Sequence, residues 1–457
     1  MSEKENGECK ENESFQSFPF ARKNSIDARK SVACQWLIRT IFADLLNRMA
    51  KEFHTYTLPN GLRCIHKRTN RDVSHLGLIV NAGSRDELEN EEGLAHFIEH
   101  SIFKGTKKRK TFHILSRLDS VGGEINAYTT KEETWVYASF LKAHFERALE
   151  LVGDICLNSV FPEKEIQKEK DVIIDEINSY LDTPGEIIFD DFEELVFNGH
   201  PLGRNILGTV DSVKSLKRQD IFNMFERRYR MDQMVFSSVG NQTLAEVKEL
   251  ANKYLGHIKT QPSEDKRQLF TGYKPVSKEE KRDGYQIHYI LGNQAYGSGD
   301  KQKTALILLN NYLGGPAMNS RLNLMIREKH GFTYNIESNY TAYQETGVLQ
   351  IYLGTDEKFF GRSKKLVQKE LKTLRDKKLG PTQLHNAKQQ LIGQIALGQE
   401  SGVGNMLALG KSYLLYDKVA PLADVIKSID SLKSSQLLEV ANEIFDPKTL
   451  SELTYLN

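Results

Sequence analysis

The sequence predicts an α+β fold, a mixture of strands and helices, organised as two tandem homologous domains. From Phe53 onward, short apolar strands alternate with amphipathic helices. A polar and charged stretch at 261–284 interrupts this order and is predicted to be a linker. Because the strand and helix pattern then repeats, we expect a first domain over 51–260 and a second, homologous domain over 285–457.

The first predicted elements are two strands joined by a tight turn. Residues 55–58 and 62–65 flank Asn60-Gly61, a dipeptide that favours the backbone of a β-hairpin turn. Apolar runs and helical periodicity then predict strands at 75–80 and 134–140 and a helix at about 142–158. Two further helices carry the polar motifs of this half.

The first motif is His96-Phe97-Ile98-Glu99-His100. If residues 93–103 form a helix, His96 and His100 lie one turn apart on the same face. Two neutral imidazoles on one face can share a metal ion, and Glu99 beside them can handle protons. The order is the reverse of the commoner zinc-hydrolase motif, in which the Glu follows the first His. Since a His pair also occurs as a structural or surface cluster, the metal interpretation requires a third ligand.

The candidate third ligand is Glu176. Apolar residues recur at helical spacing over 166–177, and breaker residues at 182–185 end that helix. Glu169 and Glu176 are seven residues apart, about two turns, and therefore share one side. Two helices that present these groups can close a tetrahedral site of three protein ligands and a water. An alternative for Glu169 is a surface ion pair with Lys168 or Lys170.

The motif and the spacing to Glu176, with 75 residues after His100, resemble a known family. It is the inverted-motif zinc metallopeptidase family of pitrilysin, insulin-degrading enzyme and mitochondrial processing peptidase, particularly its shorter two-domain members. The resemblance runs from about Phe53 to the C-terminus. It implies one Zn²⁺ per chain with His96, His100 and Glu176 as ligands. It also implies Glu99 as the general base for a zinc-bound water, and Glu169 as a further acid that supports the ligands.

The same resemblance implies how a peptide substrate is held. Gly122-Gly123-Glu124-Ile125-Asn126-Ala127-Tyr128-Thr129 resembles the family's substrate-binding strand, so Asn126 is a candidate substrate contact. Arg327 and Tyr334 match the family's pair that binds the substrate carbonyl, a role that suits donors to an oxyanion. The alternatives are a strand-end or turn role for Asn126, and a solvated Arg327 with Tyr334 packed in the core.

The second half resembles a copy of the first without its metal ligands. The strand at 349–353 and the helix at 358–376 repeat the order of 134–158, and 384–395 repeats 166–177. In that register four residues replace the functional ones: Ala387 for Glu169, Gln394 for Glu176, Leu309 for Glu99 and Asn310 for His100. We therefore expect a degenerate, substrate-binding domain, in which Gly314-Gly315 resembles the family's glycine-rich segment facing the chamber.

The family resemblance also implies the architecture. Each domain is expected to be a mostly antiparallel β-sheet packed with helices, and the chain to form half of a clamshell. Because the metal motif and the Arg327 and Tyr334 pair lie on one chain, a homodimer is favoured over a heterodimer.

Composition narrows the class of protein further. The chain has 62 basic and 61 acidic residues, a net charge of +1, and this balance argues against nucleic acid or an anionic membrane as a partner. The four cysteines have neither zinc-site spacing nor a paired framework, and no run approaches the ~20 apolar residues of a membrane span. We expect a cytoplasmic protein, with an organelle matrix as the alternative, and residues 1–50 as a largely disordered appendage.

The predicted function is a zinc-dependent metalloendopeptidase of the inverzincin type that hydrolyses unstructured peptides inside a closed chamber. The alternatives are a non-catalytic scaffold or partner subunit of the same family, and a metal-free peptide clamp.

Overall fold

The first half of the chain forms a six-stranded sheet in the order β1-β2-β6-β3-β5-β4. The computed structural model describes residues 53–259 and 266–457, so the predicted appendage at 1–50 lies outside the described residues. The pair β2–β6 is parallel and the other pairs are antiparallel. The strands are β1 (Phe53–Thr57), β2 (Arg63–Arg68), β3 (Val73–Val80), β4 (Glu124–Thr129), β5 (Thr134–Leu141) and β6 (Met234–Gly240).

The predicted hairpin at Asn60-Gly61 joins β1 and β2. Gly61 has a φ of 91°, a left-handed conformation that glycine adopts without a steric penalty. The backbone N–H of Leu62 donates to Oδ1 of Asn60 at 3.2 Å, and that of Leu58 donates to the carbonyl of Leu62 at 2.9 Å. Local turn chemistry therefore determines this register, and the prediction is confirmed.

Helices cover the first sheet and connect its strands. The two predicted motif helices are α1, which a 3₁₀ turn at Ile102–Lys104 continues, and α4, which ends just before Pro184. The helices of this half are α1 (Leu94–Ser101), α2 (Thr111–Asp119), α3 (Phe145–Leu157), α4 (Glu163–Leu181), α5 (Pro184–Val196), α6 (Val210–Ser215), α7 (Arg218–Arg228) and α8 (Leu244–Leu255).

The second half repeats the topology of the first. Its sheet has the order β7-β11-β8-β10-β9, again with one parallel pair, β7–β11, and three antiparallel pairs. The strands are β7 (Ser277–Lys281), β8 (Ile287–Tyr296), β9 (Thr333–Ala342), β10 (Thr346–Thr355) and β11 (Ser451–Leu456). This order and its pair directions correspond to β2-β6-β3-β5-β4, so the predicted α+β fold with two repeated, mostly antiparallel sheets is confirmed.

The helices of the second half also follow the predicted order. They are α9 (Lys303–Gly314), α10 (Glu357–Asp376), α11 (Pro381–Gly398), α12 (Gly402–Tyr416), α13 (Leu422–Ser431) and α14 (Ser434–Ile444), with a π-helical segment at Asn323–Glu328. In the described parts of the chain, every helix is too short or too polar to cross a bilayer.

The predicted linker at 261–284 is wrong for its second part. Residues Ser277–Lys281 form strand β7, which pairs in parallel with β11 at the sheet edge. Most of its side chains are exposed, so its charged composition resembles that of a loop, while backbone pairing makes it a strand. The side chain of Arg267, in the preceding segment, is 8% exposed and donates to the Asp86 carboxylate at 2.8 and 2.9 Å.

The two halves exchange one helix each. Helix α5 follows α4 in the first half but packs on the second sheet, where Ile188 and Phe192 join Ile290 in one apolar cluster. Helix α12 follows α11 in the second half but packs on the first sheet, where Met406 lies in a cluster with Trp135. The chain from 53 to 457 is therefore held together across the boundary that the sequence suggests. The domain limits 51–260 and 285–457 stay a prediction.

Candidate metal centre

Helix α1 begins at a position that its surroundings determine closely. Gly93, the N-cap, has a φ of 86°, and a Cβ there would lie 2.6 Å from the carbonyl oxygen of Leu207. The buried carboxyl group of Glu87 accepts from the N–H of Gly93 at 3.1 Å and of Ala95 at 2.8 Å. These contacts satisfy backbone donors that a helix start leaves open, and they fix the position of the next residue, His96.

Helices α1 and α4 bring the three predicted ligands together. Nε2 of His96 lies 3.9 Å and Nε2 of His100 lies 3.6 Å from the same oxygen of Glu176. One ligand atom from each residue lies within 4.8 Å of the other two, and within the described parts of the chain no other group of His, Cys, Asp and Glu side chains meets this criterion. The two imidazole rings meet edge to face, with centroids 4.6 Å apart.

This donor set fits zinc. A tetrahedral zinc with bonds of about 2.0–2.2 Å places its ligand atoms roughly 3.3–3.6 Å apart, close to the separations of His96 and His100 from Glu176. Burial, followed by the neighbouring His100, lowers the pKa of His96 to about 3, so His96 is the neutral imidazole that a metal requires. Its Nδ1 is buried without a hydrogen-bond partner in the described parts of the chain, so no hydrogen bond at that nitrogen orients the ring.

His100 is oriented differently, through Glu169. Its Nδ1 lies 3.3 Å from Oε2 of Glu169, which leaves Nε2 facing Glu176. Burial lowers the pKa of His100, but the Glu169 hydrogen bond and the surrounding carboxylates outweigh it and raise that pKa. A carboxylate behind a ligating histidine is a common arrangement in zinc sites.

The alternative of a surface ion pair for Glu169 is wrong. Its side chain is buried, and Nζ of Lys104 lies 2.6 Å from Oε1. Lys168 pairs instead with Glu165 at 2.9 Å, and Lys170 donates to the carbonyl of Lys214 at 2.8 Å. Burial raises the pKa of Glu169, yet the hydrogen bonds to His100 and Lys104 outweigh burial and lower it, so this carboxyl group is ionised.

Glu99 lies beside the cluster rather than within it. Burial raises its pKa above 4.5, against the opposing effects of hydrogen bonds from Thr129 and of the nearby His100. Thr129 is the last residue of β4, so the end of an edge strand holds this carboxylate. A carboxyl group with a raised pKa, placed next to a metal site, is suited to accept a proton and return it.

Asn126 lies on β4, the edge strand nearest this centre. It is exposed, and β4 pairs only with β5, so its other backbone edge is open within the described sheet. An extended peptide can add to such an edge by backbone hydrogen bonds. Asn126 therefore lies on an open sheet edge, and its contact with substrate stays a prediction.

Arg327 and Tyr334 lie in the second half, apart from the metal ligands. Arg327 lies in the last turn of the π-helical segment with its side chain 45% exposed, and its closest acidic partner is Glu328 at 3.8 Å. Tyr334 is the second residue of the edge strand β9 and is 87% exposed, so the alternative of a core tyrosine is wrong. Neither side chain makes a hydrogen bond or ion pair with His96, His100 or Glu176 in the part of the chain described here.

The matching position in the second half is a cavity of about 270 Å³. It lies between α9, β9 and α11 and is lined by Asn310, Ser338 and the predicted Gly314-Gly315 segment, among others. Nδ2 of Asn310, which occupies the place of His100, donates to the carbonyl of Ser338 at 2.9 Å. At the place of the predicted ligand His100, the second half therefore has an amide that bonds to its own sheet.

Two residues at this centre were missed from the sequence. Lys104 follows His100 by four residues, a spacing that places it on the same side of a continuing helix. Thr129 ends the predicted substrate strand, in the segment that supplied Asn126. The first could have been found from its spacing, but the contact of Thr129 with Glu99 depends on how β4 packs against α1.

Two family models and several curated proteins match this chain. Residues 63–210 match the family described as insulinase, peptidase family M16, and residues 215–391 match the peptidase M16 inactive domain. An uncharacterized zinc protease of Bacillus subtilis is 32% identical over 397 residues, covering 85% of this chain and 95% of that protein. Another from Mycobacterium leprae is 33% identical over 399 residues, covering 86% of this chain and 89% of that protein.

Solved structures show the same fold at low sequence identity. A protease from Helicobacter pylori has a TM-score of 0.83 at 22% identity, covering 89% of this chain and 100% of that one. A putative M16-like peptidase from Alicyclobacillus acidocaldarius has a TM-score of 0.79 at 18% identity, covering 89% and 98%. The two-sheet architecture is therefore shared with these proteins.

Proposed function

Because this chain belongs to peptidase family M16, we propose that it is an active zinc metalloendopeptidase that hydrolyses unstructured peptides, with Glu99 as the general base. The observation that carries this proposal is the meeting of His96, His100 and Glu176 around one point, with Glu99 beside them. The donor set is intact, whereas a scaffold or partner subunit has no need of it.

The residues of the site divide the chemistry between them. A bound zinc supplies a Lewis acid and lowers the pKa of water towards neutrality. Glu99 accepts a proton from the attacking water and returns it to the leaving amine, and its raised pKa suits both steps. The free edge of β4, with Asn126, holds the peptide extended past Glu99.

In the second half, Arg327 and Tyr334 are the proposed donors to the carbonyl at the scissile bond. Both side chains are exposed, and in the described parts of the chain neither bonds to the proposed metal ligands, so they are available to a substrate. They act once the chain closes around the peptide, and we propose that a second copy completes that closed chamber. The sedimentation coefficient of the purified protein at micromolar concentration tests this proposal. A coefficient of a monomer would contradict it.

Metal content and peptidase activity together test the proposed function. We expect about one zinc per chain by mass spectrometry of the metal, and cleavage within, rather than at the ends of, a quenched-fluorescent unstructured peptide. Glu176→Ala should lose both zinc and cleavage, because it removes the oxygen that both histidines face.

Asp175→Ala is the matched control, since Asp175 is the exposed neighbour on the same helix. Full zinc and activity in Asp175→Ala, with loss in Glu176→Ala, supports the assignment. A wild-type protein that binds no zinc would favour a scaffold or a metal-free clamp instead.

A further inference from the structure

Lys104 reaches the metal centre from the end of the first motif helix. The 3₁₀ turn Ile102–Lys104 continues α1, so Lys104 lies one turn beyond His100 on the same side. Its Nζ is 2.6 Å from Oε1 of Glu169, and the other oxygen of that carboxylate, Oε2, is 3.3 Å from Nδ1 of His100. Lys104, Glu169 and His100 therefore form one chain of charge-assisted contacts.

Burial makes this arrangement specific. The side chain of Glu169 is 6% exposed, so water cannot compensate its charge and protein partners must do so. Lys104 occupies one oxygen and leaves the other for His100, which settles the rotation of the carboxylate about its own axis. That rotation in turn directs the His100 ring so that Nε2 faces Glu176 at 3.6 Å.

We propose that Lys104 is a positioning residue of the metal centre, which orients the ligand His100 through Glu169 and thereby sets the affinity for zinc. The inference rests on the proposed function in one respect, that His100 is a ligand. The backbone of Lys104 has a separate role, since its carbonyl accepts from the hydroxyl of Thr111 at 2.9 Å. Side-chain variants leave that contact in place.

The experiment compares zinc affinity in three variants of the full chain. Lys104→Met removes the charge and keeps most of the length, while Lys104→Arg keeps a cation that can still reach Glu169. Lys168→Met is the matched control, because Lys168 is the neighbour of Glu169, is 57% exposed and pairs with Glu165. Zinc dissociation constants come from competition with a chromophoric chelator, and visible absorption of the Co²⁺-substituted protein reports ligand geometry.

We expect Lys104→Met to raise the zinc dissociation constant about 10–100-fold, the range for loss of a partner behind a ligand. Its Co²⁺ absorption band should weaken or shift, whereas Lys104→Arg should recover most of the affinity and Lys168→Met should stay within about twofold of the wild type, as an exposed pair allows. The visible spectrum is a readout that a purely structural role elsewhere would not change.

Three results with folded variants would overturn the inference. They are a wild-type-like dissociation constant and spectrum in Lys104→Met, an equal loss in Lys168→Met, and an arginine variant no better than the methionine variant. If Lys104→Met does not fold, as judged by unfolding of the zinc-free protein, Lys104→Gln replaces it, and failure of both to fold also overturns the assignment. Absence of zinc from the wild type would contradict the proposed function itself, which keeps the two failures distinct.

Discussion

Replacing Glu99 by glutamine isolates proton transfer from metal binding. The amide has the shape of the carboxylate, and its oxygen can still accept the hydrogen bonds from Thr129 that hold Glu99. Glu99 is not one of the three clustered ligands, so Glu99→Gln should keep about one zinc per chain. What the variant loses is the ability to accept and return a proton.

The expected loss follows from general-base catalysis, which contributes about 10²–10⁴-fold, or roughly 3–5 kcal/mol of transition-state stabilisation. Burial raises the pKa of Glu99, which makes its carboxylate a stronger base than an exposed glutamate. We therefore expect a fall in kcat in the upper part of that range, with a much smaller change in KM.

The assay is steady-state cleavage of a quenched-fluorescent peptide, with zinc measured on the same sample. Asp175→Asn, an equivalent change at an exposed acid of helix α4, should leave both quantities unchanged. Turnover within about threefold of the wild type in Glu99→Gln would refute the role of Glu99. Loss of zinc along with activity would refute the claim that Glu99 is not needed for metal binding.

Three other perturbations test separate parts of the structure. With zinc removed by chelator, His96 has a pKa of about 3 in the folded protein, against 6.5 when it is exposed in the unfolded chain. As the pH falls below 6.5, the unfolded chain therefore takes up a proton that the folded protein does not, and the free energy of unfolding decreases. From pH 6.5 to 4.5 the wild type should lose about 2–3 kcal/mol relative to His96→Gln in urea unfolding, and parallel pH curves would contradict this. Tyr334→Phe should lower kcat/KM about 10–100-fold with zinc retained, because one hydrogen bond to a developing charge is lost, and an unchanged kcat/KM would remove Tyr334 from the site. Arg85→Met should lower the free energy of unfolding by about 3–5 kcal/mol, because it removes the buried cation that Glu132 and Glu345 share and leaves Glu132 with only the more distant Arg267 at 3.8 Å; a loss below about 1 kcal/mol would contradict this.

Features with a local cause were predictable from the sequence. Asn60-Gly61 determines its own turn, and the spacing of His96 and His100 on a short helix determines which face they share. That Glu176 lies opposite them depends on two helices crossing at one place. Helical spacing made Glu176 a candidate, and the family resemblance added the expectation that it is a ligand. The geometry adds the distances to this expectation.

Features that depend on tertiary pairing were not predictable. Strand β7 reads as a loop because its side chains are solvated, and only β11, about 170 residues later, makes it a strand. In the sequence, Lys104 is one lysine in a basic run. Its contact with Glu169 exists only because helix α4 buries Glu169 beside it. In both cases the information lies in a partner far along the chain.

The exchanged helices show why the domain limits are the hardest part to read from the sequence. Helix α5 is contiguous with the first half, yet Nε2 of Gln350 in β10 donates to its Phe189 carbonyl at 2.9 Å. Helix α12 is contiguous with the second half, yet Ser237 of β6 donates to its Met406 carbonyl at 2.6 Å. Each sheet is therefore covered on one face by the other half, and separating the halves would expose apolar surface on both. The half with the predicted metal ligands depends on the second half for part of its core, which gives the second half a physical role independent of any contact with substrate.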